Sequence, residues 1–186
     1  MMTLLREDRE AFLRDVTVDG EVHLRDALAA GRGVVVVSGH VGMFPALGAV
    51  LPSLGARFSF LFRKPQSGPV RRLFDEILDR AGCGIIDDEP RALAGFRCLR
   101  ALKRGECVGI LVDQHLRGGA FVPFFGHSAR TGLGAALLSA RSGAVLLPMA
   151  LIREPGGAMR LAIGAPEPPP ADASEAALVE CTARLT

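Results

Sequence analysis

The sequence predicts an α/β layered sandwich in which a largely parallel central sheet is flanked by helices. Short aliphatic or β-branched runs alternate along the chain with stretches of helical period, as is typical of this class. The first run, Gly33 to Val37, is apolar on both faces, like a buried parallel strand. The chain has 186 residues, enough to bury a core, so one domain over residues 1–186 is expected.

The other elements follow the same two patterns. Six runs are predicted to be strands, at residues 33–37, 58–62, 84–86, 107–112, 144–152 and 159–163. Helical patterns cover residues 21–30, 44–54, 69–81, 90–103 and 132–142, and a further helix is expected from Ala173. An acidic run before Pro90 favours a helix start there, and Thr131 is expected to cap the helix that follows it.

This topology indicates where a site should lie. In open parallel sheets, ligands bind where the carboxyl ends of the strands meet. The turns after Val37, Phe62 and Val112 are therefore the places where functional side chains are expected.

Composition narrows the function classes. The net charge is +2, from 22 basic and 20 acidic residues, which is far from the balance of a nucleic-acid binder, so no nucleic-acid partner is expected. The four cysteines lack Cys-x-x-Cys spacing and lie in apolar segments, which is typical of reduced core thiols. No cluster has ligand spacing, so neither a metal nor a bound cofactor is expected. No apolar run reaches the ~18–20 residues that span a bilayer.

The turn after the first strand holds a candidate base. His40 lies between Gly39 and Gly42, where glycines allow close backbone approach and the next helix start presents free N–H groups to an anion. His40 is therefore a candidate general base, and the N–H groups near the two glycines are candidates to stabilise an oxyanion. A lone loop histidine is more often structural than catalytic, so spacing alone leaves both interpretations open.

The second and third turns add charged candidates. Arg63 and Lys64 leave a strand at the same predicted edge and are candidates to bind a phosphate, with a solvated loop as the alternative. Asp113 follows an apolar strand, where a carboxylate is costly without a partner. It is a candidate to orient His40, and the alternative is an acid that caps a turn.

A phenylalanine-rich segment from Gly118 to Gly126 follows the third turn. It is a candidate for the wall of an acyl channel or for a membrane-facing loop, and ordinary core filling is the alternative for any one ring. Arg130 and Thr131 come next, at a predicted helix entry that favours anions.

Taken together, these segments resemble the bacterial lipid A biosynthesis acyltransferase family, including the phosphatidylinositol mannoside acyltransferases. The resemblance covers about three quarters of the chain, from Val16 to Arg153, and its pieces come in the family's order. The matching pieces are Gly31-Arg32-Gly33, Ser38-Gly39-His40-Val41-Gly42, Phe62-Arg63-Lys64-Pro65, Asp113-Gln114, Phe121-Val122-Pro123-Phe124-Phe125-Gly126, Arg130-Thr131-Gly132 and Gly143-Ala144-Val145-Leu146-Leu147-Pro148.

The resemblance implies a glycerolipid acyltransferase-like fold and a specific reaction. An acyl chain would pass from an acyl-carrier protein or acyl-CoA to a hydroxyl of a membrane glycolipid, on the cytoplasmic, inner face of the membrane, where the domain would bind peripherally. His40 would be the base. The substrate contacts would be Arg63, Lys64, Gln114, Arg130 and Thr131.

Three departures from the family pattern qualify this expectation. The family signature is His-x4-Asp/Glu, but the corresponding position here is Pro45, so Asp113 is the best remaining acid to orient His40. The family's N-terminal membrane helix is not found, and the chain is expected to be truncated at its C-terminus. A catalytically silent lipid- or acyl-carrier-binding domain is therefore an alternative. A hydrolase is a third, although no Gly-x-Ser-x-Gly motif supports a serine hydrolase.

Overall fold

The computed structural model describes residues 9–63, 67–116 and 118–186, and over these residues it confirms the α/β class. In chain order the strands are β1 (Val16–Asp19), β2 (Val34–Ser38), β3 (Phe58–Phe62), β4 (Gly84–Asp87), β5 (Cys107–Leu111), β6 (Ala120–Phe124), β7 (His127–Thr131), β8 (Val145–Arg153) and β9 (Met159–Ile163). The helices are α1 (Arg9–Arg14), α2 (Glu21–Ala29), α3 (Leu47–Ser53), α4 (Gly68–Ala81), α5 (Arg91–Lys103), α6 (Gly134–Ser142) and α7 (Glu175–Leu185), with a 3₁₀ helix at Phe44–Ala46 before α3.

Seven of these strands form one sheet in the order β1-β9-β8-β2-β5-β3-β4. The five consecutive strands from β8 to β4 pair in parallel, whereas β9 pairs antiparallel with β8. The carboxyl ends of β2, β5, β3 and β8 therefore meet at one edge of the sheet, which we call the catalytic edge.

The sheet separates two apolar layers. Every residue of β2 is buried, with Val34 and Val36 in one layer and Val35 and Val37 in the other. Helices α1 to α4 pack on the first face and α5 to α7 on the second. This explains why β2 is apolar throughout: it lies mid-sheet and is covered on both sides.

Two features of the fold differ from what the sequence predicts. Strand β1 was not predicted, because it lies at the end of the sheet, its side chains are only alternately half-buried, and four residues carry little pattern. The phenylalanine-rich segment is not an irregular loop. It forms β6, which pairs with β7 in an antiparallel hairpin apart from the main sheet.

The expectation that Thr131 caps the following helix is wrong. Thr131 ends β7, pairs with Ala120 and is buried, so its backbone is committed to the hairpin. Helix α6 begins three residues later, and its N-cap position is Leu133, which makes no side-chain capping bond. Arg130 therefore also lies in a strand and not at a helix entry.

The four cysteines are free and buried, as the sequence predicted. Burial raises the pKa of Cys83 and Cys107 to about 12 and that of Cys98 to about 11, which keeps these thiols protonated. Among the described helices, none combines the length and apolarity that crossing a membrane requires.

Candidate active site

His40 and Asp113 meet at the catalytic edge. Strands β2 and β5 are neighbours, paired with Ser38 opposite Leu111, and each candidate lies two residues beyond that pair. The Nδ1 atom of His40 lies 2.8 Å from Oδ1 of Asp113. This is the hydrogen-bond distance that the orienting role of Asp113 requires.

The same carboxylate makes a second bond to the same residue. The backbone N–H of His40 donates to Oδ2 of Asp113 at 2.6 Å. The ring and the main chain of His40 are thus held by one side chain. Gly39 makes room for this arrangement, because a Cβ there would lie only 3.1 Å from Oδ2 and 3.2 Å from Cγ of Asp113.

These bonds determine the protonation pattern of the pair. Burial raises the pKa of the Asp113 carboxyl, but the hydrogen bonds from the ring and backbone of His40 outweigh burial, and the pKa lies below its ordinary value. An ionised Asp113 can only accept hydrogen bonds, so a neutral imidazole beside it carries its proton on Nδ1. The lone pair of His40 is then on Nε2, the atom that a base needs.

Gln114 lies against that second nitrogen. Its side-chain amide nitrogen is 3.3 Å from Nε2 of His40, where an amide N–H can donate to the lone pair. The phenyl ring of Phe44 packs edge-on against the imidazole, with ring centroids 5.0 Å apart. Sequence reasoning did not single out Phe44; its position four residues after His40, at a helix start, was the available signal.

Pro45 occupies the position of the family's usual acid and is exposed at the start of the 3₁₀ helix. It has no charge with which to hold the imidazole. The bond to Nδ1 comes instead from Asp113, in the turn after the neighbouring strand β5, so the geometry that orients an imidazole is present without an acid at Pro45.

The turn after His40 is fixed to the neighbouring strand β8. Gly42 has a positive φ of 55°, and a Cβ there would lie 2.2 Å from the carbonyl oxygen of Leu151, so only glycine fits. The N–H of Met43 donates to that same oxygen at 2.8 Å. Over the described ranges, the N–H groups of Gly39 and Gly42 have no hydrogen-bond acceptor.

A groove of about 380 Å³ opens beside the pair. Gly39, Val41 and Asp113 form part of one wall, and Phe124 and Phe125 form another at the tip of the hairpin. Two residues of the phenylalanine-rich segment, Phe124 and Phe125, therefore line the same groove as Asp113. The other lining residues, apolar except for Ser38 and Thr186, are Val37, Ser38, Val112, Pro148, Met149, Ala150, Ala162, Gly164, Leu185 and Thr186.

Of the predicted cations, Arg63 lies at the catalytic edge but already has a partner. It follows β3, two strands from β2, and its guanidinium is 2.9 Å from the carboxylate of Glu89. Its side chain is 60% exposed, so this pair is easily exchanged for another anion. Lys64 lies outside the described residues.

Arg130 is differently placed. Its guanidinium carbon lies 4.8 Å from the centroid of the Phe121 ring, and its Nε is buried without a hydrogen-bond partner. No carboxylate in the described residues pairs with it. The carbonyl of Arg130 accepts from the N–H of Leu116, which ties the hairpin to the loop that carries Gln114. Arg130 is therefore the described cation best prepared to receive an anion at this end of the domain.

Ser38 is a further residue that sequence reasoning missed. Its hydroxyl is buried directly before Gly39 and has no partner among the described residues. In the sequence it reads as the last residue of an apolar strand, so only its position beside the groove draws attention to it.

Comparison with known proteins identifies the family. The model of the bacterial lipid A biosynthesis acyltransferase family matches residues 2–185, so the chain belongs to this family. The lipid A biosynthesis lauroyltransferase of Escherichia coli K12 is 33% identical over 151 residues, which are 75% of this chain and 45% of that protein. The phosphatidylinositol mannoside acyltransferase of Mycobacterium tuberculosis, from strains H37Rv and CDC 1551 / Oshkosh, is 28% identical over 136 residues, 72% of this chain and 43% of that protein. The chain thus spans less than half the length of these relatives.

The Asp113 contact leads to a pH-dependent prediction for stability. A carboxyl whose folded pKa is lowered stabilises the fold above its unfolded pKa, and this contribution is lost as pH falls through the folded pKa. Asp113→Asn should therefore lower the free energy of unfolding at about pH 7, and the difference from wild type should shrink below about pH 4. Urea denaturation across this range measures it. Asp26→Asn, at an exposed position on α2, is the control; a difference independent of pH would contradict the prediction.

Proposed function

We propose that this chain carries the acyl-transfer site of a glycolipid acyltransferase, which moves a fatty acyl chain from a carrier-protein or CoA thioester to a hydroxyl of a membrane glycolipid. The observation that carries the proposal is the His40–Asp113 pair, in which Asp113 holds Nδ1 and the side-chain amide of Gln114 lies against Nε2. Family membership and the names of the relatives support the reaction type and the lipid class of the acceptor.

The proposed reaction begins with the acceptor hydroxyl hydrogen-bonded to Nε2 of His40. As its oxygen attacks the thioester carbonyl, a new C–O bond forms and the hydroxyl proton passes to Nε2. Asp113 remains ionised and stabilises the imidazolium through Nδ1–H. The tetrahedral intermediate then breaks its C–S bond, and the leaving thiolate takes the proton from Nε2. The products are an ester and a free thiol.

Residues around the pair are the proposed oxyanion donors, acyl-chain groove and phosphate contacts. The N–H groups of Gly39 and Gly42, which have no acceptor in the described part of the chain, are the donors that we propose for the oxyanion. The apolar groove beside Asp113 is the place that we propose for the acyl chain. Arg130, with Thr131 buried beside it in β7, is the proposed phosphate contact, and Arg63 is a second one that must exchange Glu89 for the ligand.

A second candidate function is a catalytically silent domain that binds lipid or acyl carrier. Pro45 favours it, because the family's usual acid is absent at that position. The Asp113 contact favours the enzyme, since a binding domain has no need to hold an imidazole in one tautomer.

The central experiment measures transfer from a lauroyl thioester to a phosphatidylinositol mannoside or a lipid A precursor. His40→Ala and Asp113→Asn should each lower kcat by about 10²–10⁴-fold, because one removes the base and the other its orienting acceptor. Asp87→Asn, at the end of β4 on the same edge, should stay near wild type. Binding of thioester without turnover would favour the silent domain, and unchanged transfer by Asp113→Asn would refute the mechanism.

Gln114 is proposed to protect the base until the acceptor arrives. The Gln114 amide covers Nε2 in the free protein. Both an acceptor hydroxyl and a water molecule must therefore displace this amide before they can reach the base. Gln114→Ala should therefore raise the ratio of thioester hydrolysis to transfer, measured as free fatty acid against acylated lipid. The neighbouring exposed change His115→Ala should leave this ratio unchanged. A Gln114→Ala variant that loses transfer without gaining hydrolysis would instead indicate a direct substrate contact.

The hairpin tip is the proposed site of peripheral membrane contact. Phe125 is 86% exposed and has a φ of 49°, a conformation that costs a bulky residue about 1–3 kcal/mol and that turns of this kind give to Asn or Gly. Val41 and Phe121, also at this end of the domain, are exposed as well. A strained, exposed ring is explained if it inserts into lipid, and this placement would bring the groove to the inner face of the membrane.

Phe125→Asn should separate membrane binding from folding. Asn tolerates positive φ, so the free energy of unfolding should be unchanged or higher by about 1 kcal/mol, whereas flotation with anionic liposomes should fall. Phe96→Asn, at a 75% exposed ring on α5, is the matched control and should float like wild type. Equal flotation of Phe125→Asn and wild type would rule out the tip as the lipid contact.

A further inference from the structure

The outward face of α5 concentrates positive charge. Helix α5 contains no acidic residue. At 100° per residue, six exposed residues fall within about 120° of the helix circumference. They define what we call the α5 face: Leu93, Phe96, Arg97, Arg100, Lys103 and, just beyond the helix, Arg104.

Most of this charge is uncompensated. Arg104 is held by both carboxylate oxygens of Glu106, at 2.8 and 3.0 Å. Over the described residues, Arg97, Arg100 and Lys103 have no carboxylate partner. Because like charges repel one another along a helix, this arrangement is unfavourable for the isolated domain. It becomes favourable when an acidic surface lies against it.

The α5 face also has a recess and two exposed apolar side chains. A recess of about 260 Å³ lies between α5 and the strands β3 and β4, and its charged lining residues are Arg97, Arg100, Arg104 and Glu106. The Glu106 carboxylate is already paired with Arg104, so Arg97 and Arg100 are the cations of the recess that remain for a ligand over the described residues. The recess can receive a carboxylate side chain. Phe96 is 75% exposed and Leu93 is 50% exposed on the same face. Aromatic and arginine side chains together are the residues enriched at protein interfaces.

The orientation of α5 separates this face from the catalytic edge. The helix joins the parallel strands β4 and β5, so it starts near the catalytic edge and runs back along the sheet. Its outward face therefore lies on the side of the domain. A membrane laid across the catalytic edge, where Val41 and Phe125 are exposed, leaves the α5 face open to a partner in solution.

We propose that the α5 face docks the acidic carrier protein that delivers the acyl thioester. This inference rests on the proposed function, because it concerns the donor of the same reaction. Charge complementarity would speed encounter, and the flexible phosphopantetheine arm of the carrier would run along α5 to the groove at the catalytic edge. A free CoA thioester would make no use of this face.

The test compares one acyl chain on two donors. Lauroyl-loaded acyl-carrier protein and lauroyl-CoA are assayed with wild type, with Arg97→Glu/Arg100→Glu, and with the matched control Arg14→Glu/Arg25→Glu. The control changes net charge equally at exposed positions on α1 and α2, which pack on the opposite face of the sheet. In the α5 variant, KM for the carrier thioester should rise about tenfold or more with kcat unchanged. KM for lauroyl-CoA should stay at the wild-type value, which also shows that the variant is folded. Arg97→Gln/Arg100→Gln should give a smaller rise.

The other outcomes of this experiment contradict either the proposed function or the docking proposal. An absence of turnover by wild type with both donors contradicts the proposed function itself. Turnover with CoA alone, an unchanged carrier KM in the variant, or an equal rise in KM for both donors overturns the docking proposal. Loss of liposome flotation in the α5 variant, with carrier KM unchanged, would assign the face to the membrane and would overturn it too.

Discussion

One carboxylate organises the site of this domain. Asp113 accepts from both the ring and the backbone N–H of His40, at 2.8 and 2.6 Å, and it does so from a partly buried position. A partly buried carboxylate is costly unless hydrogen bonds compensate it, and here the compensation comes from the residue it orients. The bonds that lower the pKa of Asp113 are thus the same bonds that fix the tautomer of His40.

Strand pairing and two glycines bring His40 and Asp113 into this contact. Adjacent parallel strands bring the two turns to one edge, Gly39 leaves space for the carboxylate, and Gly42 allows the turn to lie against β8. An acid on the first turn of the following helix would do the same work locally. Because the acid comes instead from the turn after β5, the residue at position 45 does not need a carboxylate, and Pro45 can lie in the 3₁₀ helix.

Two features of the surface support the two proposed partners, the membrane and the carrier protein. Exposed apolar residues gather at the catalytic edge and include Phe125, which keeps an unfavourable backbone conformation. Cations without a carboxylate partner among the described residues, namely Arg97, Arg100 and Lys103, lie along α5 on the side of the sheet. Both features lower the stability of the isolated chain, and in natural proteins such features are retained where they meet a partner.

Local pattern in the sequence determined the class of fold, most of the strands, the turns that carry the site and the family, because periodicity and turn chemistry act over a few residues. It also identified Asp113 as a candidate partner of His40. Only the tertiary structure decided that the two meet, since they are 73 positions apart and their contact depends on strand order. Strand pairing likewise placed Thr131 in a hairpin instead of at a helix cap. It also placed Arg130 over Phe121, where no described carboxylate pairs with it, whereas Arg63 pairs with Glu89. Such pairings depend on which distant segments lie side by side, and sequence periodicity does not encode that.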